Sequence, residues 1–174
     1  MRMGRRALAA LLAVATICVA VPAQSQSVQI TASGTIASSC TISKASDFAA
    51  ADLSVNGNRT ATATVSCNTG FSIAASSANG ALKRVPPGSP PANFTNSLAY
   101  SFSLSVPLDS GGPALANCTS AALLANSCSL SSSGGTATAR TATLTASWTI
   151  PALPTRLLAG GYSDTITLTI ATAP

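Results

Sequence analysis

Apolar residues recur at every second position along most of this chain. In TITLTI, residues 165–170, Ile166, Leu168 and Ile170 share one phase, and Thr165, Thr167 and Thr169 the other. That period of two marks a strand with one buried face. The stretch from Tyr162 to Ile170 therefore reads as one closing strand. LAYSFSLSV, residues 98–106, alternates the same way and turns Leu98, Tyr100, Phe102, Leu104 and Val106 inward. TATARTATLTASWTI, residues 136–150, does so with Ala142, Leu144, Ala146, Trp148 and Ile150, which makes Trp148 a core residue. RTATATVSC, residues 59–67, sets Ala61, Ala63 and Val65 in phase with Cys67 and follows the turn signal Asn56-Gly57-Asn58. FSIAASS, residues 71–77, is a further strand candidate. SVQITASGTIASSCTIS, residues 27–43, opposes Val28, Ile30, Ala32, Gly34 and Ile36 to a polar face of Ser27, Gln29, Thr31, Ser33 and Thr35.

The intervening stretches lack this pattern. KRVPPGSPPANFTN, residues 83–96, holds four prolines and reads as a loop, with Lys83 and Arg84 as solvated charges. LDSGGP is a turn. ALANCTSAALLANSC, residues 114–128, has room for one helical turn, SSSGG for a flexible link, and PALPTRLLAGG, residues 151–161, for a connector. About seven short strands separated by turn residues suit two packed antiparallel sheets.

Composition supports an all-β chain and narrows what it can do. Glutamate and histidine are absent, and charged residues make up 7% of the sequence. The carboxylate side chains are Asp47, Asp52, Asp109 and Asp164. General acid–base catalysis draws on groups that are nearly missing here, and histidine-based zinc sites and Ser-His-Asp triads are excluded. A Ser-Lys pair through Lys44 or Lys83 has no motif behind it. No CxxC pair suggests a metal. The expectation is a protein that is not an enzyme and needs no cofactor.

The N-terminus changes the count of charges. MRMGRR carries Arg2, Arg5 and Arg6, an apolar run follows over residues 7–21, and Val21-Pro22-Ala23 places small residues at a cleavage site. This reads as a secretory signal peptide, residues 1–23. The run is short of the ~20 residues a membrane helix needs. Ile17 ahead of Cys18 argues against lipid attachment. Removal of the segment takes the net charge from +5 to +2, with six basic and four acidic side chains. No charge patch then points to nucleic acid or to a membrane surface.

Four cysteines remain after processing: Cys40, Cys67, Cys118 and Cys128. An even number in an exported chain implies two disulfides, and three pairings exist. Local closure favours Cys40–Cys67 and Cys118–Cys128. The chain-entropy model assigns roughly 3–4 kcal/mol to the longer loop and about 3 to the shorter.

One order of motifs carries a family resemblance. Ser38-Ser39-Cys40-Thr41-Ile42 precedes TATVSC, residues 62–67; WTIP, residues 148–151, and AGGYSDTITLTI, residues 159–170, come later. This resembles the spore coat protein U domain family, the archaic, Csu-like chaperone–usher pilins, across nearly all of residues 27–170. The resemblance implies an incomplete immunoglobulin-like β-sandwich that lacks its final strand and is completed by donor-strand addition. Residues 24–36 would be the donor extension, with Val28, Ile30, Ala32, Gly34 and Ile36 entering a neighbour's groove. Residues 37–174 would be the pilin domain, with Tyr162, Ile166, Leu168 and Ile170 at the acceptor edge. The implied partners are a periplasmic chaperone, an outer-membrane usher and like or sibling subunits. The implied route runs through the periplasm to a surface pilus with roles in adhesion or biofilm formation. The competing readings are a pilus tip adhesin and a secreted coat protein closed by its own first strand.

Overall fold

The computed structural model describes residues 28–132 and 134–173. The expected signal peptide and residues 24–27 lie outside them. The chain divides into one unit reaching Thr35 and a second from Ile36 onward. In the first, residues 28–35 form neither helix nor strand, and every one is exposed.

The second unit is nearly all β. Its strands are β1 (Cys40–Lys44), β2 (Gly57–Cys67), β3 (Phe71–Ser77), β4 (Leu82–Val85), β5 (Phe94–Thr95), β6 (Ser97–Leu98), β7 (Tyr100–Val106), β8 (Ala114–Thr119), β9 (Cys128–Ser131), β10 (Ala137–Trp148), β11 (Arg156–Leu157), β12 (Gly161–Ser163) and β13 (Ile166–Thr172). One short helix, α1 (Ser120–Leu124), follows β8, and the Thr119 hydroxyl caps it by accepting the Ala122 N–H at 3.2 Å. A five-stranded antiparallel sheet runs β1-β2-β10-β7-β8, and a three-stranded antiparallel sheet runs β13-β3-β9. Two smaller sheets, β12-β4-β6 and the parallel pair β11-β5, complete the set.

Alternation drives this arrangement. Tyr100, Phe102, Leu104 and Val106 of β7 are buried, and Ala142, Leu144 and Trp148 of β10 join them. Phe71 and Ile73 of β3 and Val65 of β2 have no exposed surface. All belong to one apolar cluster shared by the five- and three-stranded sheets.

Several sequence expectations need correction. Of the alternating segment 27–43, the described residues form a strand only in β1, where Cys40–Lys44 meets a partner in β2. The turn falls at Leu53–Val55, not at Asn56-Gly57-Asn58; Gly57 opens β2. Its glycine serves a close approach, since a Cβ there would meet the Trp148 ring at 2.9 Å. The stretch 83–96 contributes strand residues to β4 and β5. Arg84 is not a free loop charge: its guanidinium donates to the Ala159 and Pro86 carbonyls. Residues 114–119 and 128–131 are strands β8 and β9 that sequence reading left as loose chain. Ile150 lies beyond β10 and is 39% exposed, so it is not inward. The connector 151–161 contains β11 and the start of β12. The closing strand is two strands, β12 and β13, broken at Asp164-Thr165.

Both favoured disulfides are present, with Cα atoms 4.2 Å apart for Cys40–Cys67 and 5.8 Å for Cys118–Cys128. They do different work. Cys40–Cys67 joins β1 to β2 within one sheet. Cys118–Cys128 joins β8 to β9, and so ties the two principal sheets together. Two such bonds indicate an oxidising, extracytoplasmic environment. Among the described residues no helix is long and apolar enough to cross a membrane.

Candidate functional site

The other margin of the core is open. There β1 and β13 are the end strands of their sheets, and among the described residues each is paired on one side only, to β2 and to β3. Ile166, Leu168 and Ile170 of β13 face the core and remain half-buried. A cavity of about 670 Å³ lies along this margin. Ile166 and Leu168 form one wall, Ile42 of β1 with Ala61 and Ala63 of β2 another, and Tyr100, Leu144 and Trp148 also line it. Ile170 and Cys40 do not line it, so the gap narrows toward their end.

The lip opposite β13 is the segment 45–53. β1 leaves the ladder after Lys44, and both Ala45 and Ser46 donate their N–H groups to Thr62 O. Phe48, Ala51 and Leu53 are half-buried against the core and line the cavity. Polar ties hold the segment: Lys44 Nζ to Asp47 at 2.9 Å, Arg59 Nε to Ala50 O at 3.3 Å, and the Trp148 indole N–H to Val55 O at 2.9 Å. The Ser54 hydroxyl and N–H hold the Asp52 carboxyl below the usual range. Lys44 and Asp47 are both well exposed, so their ion pair adds little.

At the mouth sits Asp164, between β12 and β13. Its Oδ2 accepts from Ser77 Oγ at 2.6 Å and Tyr100 Oη at 2.7 Å. Its Oδ1 accepts the Asn79 N–H at 3.1 Å and the Thr165 N–H at 2.8 Å. Burial, then the hydrogen bond to Asp164, pushes the Tyr100 hydroxyl far above the usual tyrosine range.

The sequence-predicted site residues are thus partly gathered. Tyr162, Ile166 and Leu168 line one cavity, although Tyr162 belongs to β12 and pairs with Arg84 of β4. Its hydroxyl donates to the Leu158 carbonyl at 2.7 Å. Ile170 shares the β13 face but lies past the cavity. Val28, Ile30 and Ile36 are 84%, 91% and 91% exposed, and Ala32 and Gly34 are exposed too. Sequence reading missed the 45–53 lip and Asp164. The apolar-rich stretch FAAADL, residues 48–53, could have revealed the first, whereas nothing local sets Asp164 apart from a continuous strand.

Among the described residues no three of His, Cys, Asp or Glu gather as a metal site would need. The geometry offers an apolar trough bounded by a strand edge whose backbone is free to pair. No protein-family model matches the chain, and no curated protein matches it.

Proposed function

We propose that the protein is a structural subunit of a surface fibre, assembled by donor-strand complementation as in the chaperone–usher pilins that its sequence resembles. In this reading the two principal sheets form an immunoglobulin-like sandwich short of one strand. Residues 24–36 of one copy, or of a sibling subunit, complete the sandwich of another along β13. A periplasmic chaperone covers the edge beforehand, and an outer-membrane usher passes the subunit to the cell surface.

The observation that carries the reading is the state of β13. It is seven residues long, uncharged, free of proline and, among the described residues, paired once. Its core-facing residues are only half-buried beside an unfilled trough. Soluble proteins blunt such edges with charge, proline, a bulge or a cover. An unprotected edge of this kind is a template for another strand. Val28, Ile30, Ala32 and Ile36 alternate as a strand entering such a trough requires, and they are exposed.

Deletion of residues 24–36 tests this. The full chain is expected to form oligomers whose size grows with concentration. The deletion variant is expected to stay monomeric and to capture a synthetic peptide of residues 24–36. Oligomers of undiminished size from the deletion variant would refute the assignment.

A further inference from the structure

The closing stretch changes sheets at Asp164. Ser163 pairs with Lys83 in the β12-β4-β6 sheet, whereas Ile166 pairs with Ser77 in the β13-β3-β9 sheet. A strand that does both must bend or break between them. The carboxylate holds the break by accepting four hydrogen bonds: from Ser77 Oγ at the end of β3, from Tyr100 Oη at the start of β7, and from the N–H groups of Asn79 and Thr165. Ser77 is fixed in turn, because its Oγ accepts the N–H groups of Gly80 at 2.7 Å and Asn79 at 3.2 Å. Such bonds to an ionised acceptor are roughly twice as strong as neutral ones.

Their placement matters more than their number. Ser77 and Thr165 belong to the wall that carries β13. Tyr100 belongs to the five-stranded sheet, is 5% exposed, and lines the same cavity as Asp164, Thr165 and Ile166. One carboxylate therefore pins the residue just ahead of the free edge and ties it to the opposite wall. Apolar contacts slide at little cost, whereas a hydrogen bond weakens steeply when its geometry is disturbed. This polar clamp spans the two walls at the mouth of the trough.

We propose that Asp164 is the positioning residue of the strand-accepting trough, acting through Tyr100 and Ser77. It holds the start of β13 in the register and at the spacing that an incoming strand meets. This rests on the docking reading given above.

The test uses the full chain, diluted until it is monomeric so that no neighbour's extension fills the trough, and a fluorescent peptide of residues 24–36, loaded and then chased with unlabelled peptide. If wild type takes up no peptide, the docking reading fails and the positioning role fails with it. Where wild type loads, Tyr100→Phe is expected to release the peptide about tenfold faster, the loss expected for one hydrogen bond to a charged acceptor. Asp164→Ala is expected to release it faster still. Thr119→Ala removes the α1 cap and lowers the unfolding temperature, yet is expected to release the peptide at the wild-type rate. Release from Tyr100→Phe within twofold of wild type, well below its unfolding temperature, overturns the positioning role and leaves the docking reading standing. So does a Thr119→Ala effect as large as that of Tyr100→Phe, since release would then only report stability.

Discussion

The two margins of the same core are built from similar residues and end differently. At one, β8 and β9 are joined by Cys118–Cys128, α1 buries Leu123, and Leu130 is 2% exposed. At the other, β1 and β13 flank a trough, and Leu168 stays half-buried. The disulfide on the open side, Cys40–Cys67, lies within one sheet and closes nothing between sheets. A strand's apolar face fixes which way it points. Whether that face is covered depends on what the chain places beside it.

Core truncation at each margin gives the largest expected contrast. Leu130→Ala removes a fully buried side chain and is expected to cost about 2–5 kcal/mol in urea unfolding. Leu168→Ala in the unassembled chain is expected to cost about 1 kcal/mol, because its side chain is already half in water. Equal costs would mean that the second margin is as closed as the first.

The disulfides sharpen the same contrast. Loss of either is expected to lower stability by roughly 3 kcal/mol on chain entropy alone. Hydrogen exchange separates them. Replacing Cys118 and Cys128 by alanine is expected to expose amides of both β8 and β9, in different sheets. Replacing Cys40 and Cys67 is expected to loosen β1 and leave β13 as it was.

These contrasts also explain what was legible in the sequence. β7, β10 and β13 were readable because large apolar residues alternate with serine and threonine over six positions or more. β8 and β9 were not. Ala114, Ala116 and Cys118 alternate but are small, and β9 has only Cys128 and Leu130 to show. Residues 28–36 taught the opposite lesson. Their alternation is clean, yet no ladder forms there, because periodicity records a preference for a half-buried surface without supplying one. The break at Asp164 was invisible, since Ser163 and Thr165 fit a continuous strand and only long-range pairing to β4 and β3 divides them.

Alkaline titration probes the mouth of the open margin. Tyr100 is held protonated well above its ordinary value in the folded state. The stability this confers is complete below the unfolded tyrosine value of about 10 and is lost as pH rises from there toward the folded value. Wild type is therefore expected to lose unfolding temperature above pH 10 more steeply than Tyr100→Phe. Parallel curves would mean that the hydroxyl ionises as freely folded as unfolded.

The smallest effect belongs to the carboxylate on the closed side. Asp109 follows β7 on the way to β8 and, like Asp164, accepts four hydrogen bonds: the Thr138 N–H, both Thr136 and Thr138 hydroxyls, and Arg140 Nε at 2.8 Å. The Thr138 backbone N–H first, then Arg140, holds its carboxyl well below the usual range. The sign is opposite to that of Tyr100: the stabilisation is present above the unfolded value near 4 and is lost as pH falls through the folded value. Asp109→Asn is expected to flatten the acid limb of the stability curve. Because the group sits in solvent contact, added salt is expected to shrink the difference further. Its clamp bonds the chain only to β10 of the same five-stranded sheet and to Thr136 just before it, and reaches no trough, so peptide release is expected to be unchanged in this variant. A release rate altered as much as in Asp164→Ala would erase the distinction between the two margins.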